Sequence, residues 1–139
     1  MSSGAEAVGL IDALMRLSIL VQRAFDRRAA DQGISPSQAR MLQLIADRAP
    51  TINELALLLG LDKSSTSGLV DRAQRRGLVR RVPSQLDRRS VRVRLTDQGR
   101  ESAEQVASRF AQDLTALLEP LSPPEREVFT ASAGRLLRD

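Results

Sequence analysis

The sequence predicts a mainly α-helical fold carrying one small β-hairpin, and three observations predict it. The stretch from Thr51 to Thr96 reads as two short helices joined by a tight turn, then a hairpin loaded with arginine. Broad apolar stripes at helical spacing precede and follow that stretch. Capping residues and glycine stops mark the boundaries between these segments.

Residues 1–6 are small and polar and are expected to fray. From about Val8 to Ala30 the pattern is helical. Leu10, Leu14, Leu17 and Val21 form one stripe, with Ile11, Met15 and Phe25 beside it. So wide an apolar face suits packing on its own domain and on a partner subunit together. Gly33 ends that helix. Ser35-Pro36-Ser37-Gln38 opens the next with an N-cap, a proline at the first position and a capping-box glutamine. That helix should run to about Asp47 and bury Ala39, Leu42, Ile45 and Ala46, with Pro50 helping to close it.

Thr51-Ile52-Asn53-Glu54 has the spacing of a capping box. A short helix through Leu55–Leu59 should follow, stopped by Gly60, with Leu61 folding back. Asp62 then caps a second helix, roughly Lys63 to Arg76, stopped by Gly77. Helix, turn of about four residues, helix is the helix-turn-helix arrangement. Leu55, Leu59, Leu61 and Leu69 are apolar where the two helices pack. Ala56 is small where they cross, and Thr66 falls where an apolar residue is commoner. The first half of the second helix is rich in hydroxyls (Ser64, Ser65, Thr66, Ser67). Its second half carries Arg72, Arg75 and Arg76. Small hydroxyl residues allow a helix deep into a major groove, and arginines reach guanine or phosphate. That run alone reads equally well as a polar first turn with a solvated basic end.

Leu78–Val82 is a strand candidate, Pro83–Arg89 a loop, and Ser90–Leu95 alternates with period two, placing Val91, Val93 and Leu95 on one face. A hairpin after a helix-turn-helix is a wing. This one carries Arg80, Arg81, Arg88, Arg89, Arg92 and Arg94, and a tip with Arg88 and Arg89 suits a narrow minor groove. Thr96 then caps a long helix with Asp97 in its first turn and a stripe of Val106, Phe110, Leu114, Leu117 and Leu118, ending near Glu119-Pro120. Ser122-Pro123-Pro124-Glu125 is another capping box. It opens a last helix with Val128, Phe129, Ala133, Leu136 and Leu137. The terminal helices have stripes to bury, against each other and against a second copy.

The chain of 139 residues is long enough for one domain with a real core. Residues 63–94 hold ten of the 21 basic residues and two acids, Asp71 and Asp87. The rest of the chain is therefore net acidic, and a cationic face on an acidic body is the footprint of a polyanion-binding protein. Cysteine and histidine are both absent. This excludes a disulfide framework, a thiol redox sensor and a His/Cys metal site, and it removes the commonest general base. No cofactor and no enzymatic activity are expected. No apolar run spans a membrane, and residues 1–9 lack the basic region of a secretion signal, so a cytoplasmic protein is expected.

The combination Asp87-x-Arg89, Leu95-Thr96, Leu69-Val70-Asp71-Arg72, Arg76-Gly77-Leu78-Val79 and Leu95–Gly99 resembles the MarR family of bacterial transcriptional regulators. The motifs cover residues 51–99, and the helical flanks fit the family's layout. The resemblance implies one domain, with a winged helix-turn-helix lobe over 34–98 and a helical dimerisation lobe over 5–31 and 99–139. It implies a homodimer whose second motif helix enters the major groove while the wing touches the minor groove. It implies too that Asp71 pairs with Arg89, clamping the wing to the recognition helix. An acid among so many arginines suits a clamp better than a DNA contact, although Asp71 also stands four residues before Arg75. The expected DNA-binding residues are Lys63, Ser64, Ser65, Thr66, Ser67, Arg72, Arg75, Arg76, Arg88 and Arg89, with Lys63, Arg75 and Arg76 on phosphates.

The sequence therefore reads as a sequence-specific repressor of a pseudo-palindromic, double-stranded operator. The alternative is a winged-helix module that binds protein, which would not need arginines on both helix and hairpin tip. The family also implies release by a small lipophilic or phenolic effector. Met15, Leu17, Met41 and Leu44, with Arg16 or Arg40, are the candidates for its cleft. The same residues read equally as core and surface, and three phenylalanines are the whole aromatic complement.

Overall fold

The computed structural model describes residues 2–87 and 89–138. Among these the order is α1 (Ser2–Asp31), α2 (Pro36–Ile45), α3 (Ile52–Leu59), α4 (Lys63–Arg75), β1 (Val79–Pro83), β2 (Val91–Leu95), α5 (Asp97–Leu118) and α6 (Pro123–Leu136). The strands pair antiparallel, with Val79 opposite Leu95 and Pro83 opposite Val91. An isolated bridge from Thr51 to Arg92 adds a short third edge to this sheet.

The local signals act where the sequence places them. Ser35, Thr51, Asp62, Thr96 and Ser122 each accept a backbone N–H at a helix start. Both members of the capping boxes Thr51/Glu54 and Ser122/Glu125 are engaged. Gly33, Gly60 and Gly77 all take positive φ, near 70°. At Gly60 the Leu61 N–H reaches back to the Ala56 carbonyl, and at Gly77 the Leu78 N–H reaches Ala73.

Helix α2 lies at the centre. Its Met41, Leu42 and Ile45 are fully buried against Leu55 of α3, Val70 and Ala73 of α4 and Val79 and Val93 of the hairpin. Beyond this core, α1 runs along α5. Phe25 and Phe110 meet edge to face, 5.3 Å between centroids. Nearby, Arg28 grips Asp113 with two hydrogen bonds of 2.6 Å. That fork-to-fork pair holds the Asp113 carboxyl below the usual carboxylate range.

Three expectations change. Helix α1 begins at Ser2, several residues before the expected start: Ala5, Glu6 and Ala7 are good helix formers, and they carry the helix through Gly4, which costs about 1 kcal/mol relative to alanine. Val91 is exposed at the outer end of β2 while Val93 and Leu95 are buried, since the helices support only the root of the hairpin. The terminal helices do not close into a bundle: α6 buries none of its residues, and Val128, Phe129, Leu136 and Leu137 stay exposed. On α1, Val8, Leu10, Ile11, Leu14 and Met15 are exposed as well.

One contact joins the two ends of the wing to the helical lobe. A Cβ at Gly99 would lie 1.8 Å from the Leu78 carbonyl oxygen. Gly99→Ala should therefore lower the unfolding free energy by about 3 kcal/mol or more in a urea titration, because a backbone atom cannot step aside as a side chain can.

Candidate nucleic-acid interface

The candidate interface consists of α4 and the tip of the hairpin. Asp62 organises the start of α4. Its carboxylate accepts from the Ser65 N–H at 2.7 Å and from the Ser65 hydroxyl at 3.0 Å, and these bonds hold it below the usual carboxylate range. Lys63, Ser64 and Ser65 are exposed and Ser67 is half-buried. One turn or more further on, Arg72 and Arg75 are exposed on the same helix.

Two residues expected to meet DNA have other employment. Thr66 is fully buried, and its hydroxyl donates to the Asp62 carbonyl at 2.9 Å. Its methyl takes the place of an apolar side chain in the core while the backbone satisfies its oxygen. Thr66 therefore leaves the set of contacts. Arg76 donates to the Gly33 carbonyl, tying the end of α4 to the turn between α1 and α2. That bond engages one of its N–H groups, and the exposed guanidinium keeps its charge and its other donors.

In the wing, Asp87 folds the tip. It accepts from the Arg89 N–H at 2.9 Å and from the Ser90 hydroxyl at 3.3 Å, and its own carbonyl accepts the Ser90 N–H at 3.0 Å. The Asp-x-Arg spacing is thus a turn that presents Arg89, whose side chain is exposed. Arg88 lies outside the described residues. Ser84 is buried at the base of the tip and bonds the Leu86 N–H and the Arg92 guanidinium. Leu86 is 91% exposed, an apolar residue at the tip that sequence reading passed over.

The wing is fastened to α4 through Arg81. Its guanidinium donates to Asp71 at 2.6 Å and to Gln74 at 2.5 Å, where the sequence led us to expect Asp71 with Arg89. Geometry explains the exchange. Arg81 sits in mid-strand opposite Val93, on the face of the hairpin that packs towards the core, whereas Arg89 sits on the tip. Arg92 is likewise structural. It donates to the Ala49 carbonyl at 2.8 Å, with Glu54 3.8 Å away. Arg81 was legible only as one arginine among six; its partnership depends on strand register.

The residues named for an effector cleft are spread between core and surface. Met41 is fully buried, Leu44 packs on the core, and Met15 and Leu17 are exposed on α1. Arg16 pairs with Asp12 within α1, and Arg40 lies 6.0 Å from the Phe25 ring centre. Among the described residues no cluster of His, Cys, Asp and Glu could hold a metal ion, and no helix is long and apolar enough to cross a membrane.

A helix-turn-helix followed by a basic wing, flanked by long helices, defines a winged-helix transcriptional regulator. Comparison with known proteins gives the family. Residues 32–90 match the model described as "MarR family". A MarR family protein of known structure from Bacillus stearothermophilus is 30% identical, with a TM-score of 0.83 over 95% of this chain and 94% of that one. The transcriptional regulator PecS of Dickeya dadantii is 28% identical over 135 residues, 94% of this chain and 81% of PecS. A mutant of Staphylococcus aureus MepR bound to an oligodeoxyribonucleotide shares the fold, with a TM-score of 0.68 at 24% identity over 91% of this chain and 95% of that one. The chain belongs to the MarR family of transcriptional regulators and is not an enzyme.

The roles of Thr66 and Arg81 can be separated by substitution. Thr66→Val should leave DNA affinity within about a factor of two, 0.4 kcal/mol, in an anisotropy titration. Asp71→Ala and Arg81→Ala should each weaken binding about tenfold, with no change in salt dependence and no further loss in the double mutant. The pair is partly exposed, so each change should cost at most about 1 kcal/mol of stability in urea.

Proposed function

We propose that this regulator is a homodimeric repressor that acts in the cytoplasm and binds a pseudo-palindromic operator. The 34–98 lobe engages DNA, and the helices in 5–31 and 99–139 pair the subunits. The observation that carries the reading is the shared presentation of two exposed elements. Lys63, Ser64, Ser65 and Arg72 stand on a helix that Arg81 ties to a wing, and Asp87 aims Arg89 from that wing's tip. The helix serves the major groove, where Ser67 lies at the edge of the contact, and Arg89 serves the minor groove. Arg75 remains a phosphate contact. The MepR mutant shows that this fold is used on DNA.

Dimerisation is supported by the apolar side chains that α1 and α6 leave exposed, residues a lone subunit has no means to cover. Two-fold pairing would set the recognition helices about 34 Å apart, one turn of DNA. Release by a small lipophilic or phenolic effector belongs to the proposal as the family implies it; Phe25 and Phe110 already pack on each other, and Phe129 is left half exposed.

The deciding experiment is a fluorescence-anisotropy titration with DNA from upstream of the gene and with a scrambled duplex, over a range of salt. Preference for the upstream DNA should be at least about a hundredfold. Arg89→Ala should reduce the log–log salt slope by about 0.9 if the guanidinium neutralises one phosphate. Equal, weak binding to both duplexes would remove operator specificity, and no binding at low salt would sink the repressor reading. In sedimentation equilibrium the protein should run at twice the 15.2 kDa chain mass. Leu14→Glu should give monomers that hold the operator at least about tenfold more weakly, a loss of 1.4 kcal/mol.

A further inference from the structure

At the root of the wing the hairpin faces a recess of about 540 Å³, shared with the end of α2 and the start of α5. Arg80 and Arg94 line it from the two strands, Arg48 from the segment after α2, and Arg100 from α5. Asp47 and Asp97 line it too, so four guanidinium groups against two carboxylates leave an excess of two positive charges.

The two strand arginines are the informative ones. Arg80 and Arg94 are direct cross-strand partners, and like charges in that relation destabilise a hairpin. Their neighbours Arg81 and Arg92 have side chains bonded within the chain, whereas the side chains of Arg80 and Arg94 have no hydrogen bond or ion pair among the described residues. On the recess wall Arg100 donates to the Ala46 carbonyl at 3.3 Å. Arg80 lies four residues before Ser84, about 13 Å along a strand, and Arg80 and Arg94 also line a groove that runs out towards Ser84, Gln85 and Leu86.

We propose that this recess binds a small anion of the phosphate type carrying two or more negative charges. Such an anion meets planar guanidinium donors on several sides and relieves the repulsion between Arg80 and Arg94.

The calorimetric and thermal measurements use the intact protein without DNA, so they stand whether or not the operator reading does. Sodium pyrophosphate is titrated by calorimetry into wild type, Arg80→Gln and Arg94→Gln, and the thermal midpoint is followed against sodium chloride of equal ionic strength. Wild type should bind with a dissociation constant below about 1 mM, and its midpoint should rise beyond the chloride control. Both variants should bind at least about tenfold more weakly. Without pyrophosphate their midpoints should be at least as high as that of wild type, since one of two opposed charges is gone. Absence of binding by wild type, or undiminished binding by both variants, overturns the proposal. It is also overturned if wild type ignores pyrophosphate while Arg94→Gln reduces the salt slope for DNA by about 0.9, for then the arginine serves the DNA backbone.

Discussion

The structure depends on the junction where the end of α4, the first strand and the start of α5 meet within one van der Waals contact. Thr96 is its pivot. Its hydroxyl donates to the Gly77 carbonyl at 2.5 Å and accepts the Gly99 N–H at 3.0 Å, and its own N–H donates to the Leu78 carbonyl at 3.1 Å. One threonine thus caps α5, anchors the glycine turn that ends α4 and closes the hairpin at its root. Gly99 is the condition for all three, because the Leu78 carbonyl occupies the space a side chain would need. The wing is therefore no loose appendage. Its root is fixed by backbone contacts, and only its tip projects away from them.

The arginines divide the labour by position rather than by number. Arg28 joins α1 to α5, Arg76 joins α4 to the turn after α1, Arg81 joins the wing to α4, and Arg92 joins it to the segment before α3. Each donates to a carbonyl or a carboxylate and so acts as a strut. Arg72, Arg75 and Arg89 remain exposed, and Asp87 orders the turn that holds Arg89 forward. Over residues 63–94 Arg81 has its charge paired with Asp71, while Arg76 keeps its own, and Arg76 and Arg92 have their direction set by the carbonyls they meet.

What the sequence made legible was local. Caps at Thr51, Asp62, Thr96 and Ser122, and left-handed stops at Gly33, Gly60 and Gly77, depend on neighbours within a few positions, so their spacing is sufficient. The helix-turn-helix and the wing follow from these boundaries. What stayed hidden was tertiary. Whether Thr66 faces the groove or the core depends on how α4 rolls against α2. Which arginine meets Asp71 depends on strand register, and Arg76 reaches a carbonyl forty-three positions away. Gly99 could be recognised as part of a motif, but the reason for it, a carbonyl from the far side of the hairpin, could not.

Helix α1 has a mechanical consequence. Its 30 residues make a rod about 45 Å long. Arg28 holds that rod to α5 near one end, close to the Gly33 turn and the brace from Arg76. A rod held at one end is a lever. A rotation of roughly 5° at the Arg28 anchorage displaces the opposite end, about 40 Å away, by roughly 3–4 Å. Changes of a few tenths of an ångström beside the DNA-binding lobe are thereby magnified at the end of α1 where Val8, Leu10 and Ile11 are exposed, and motion imposed there returns to the lobe divided by the same ratio.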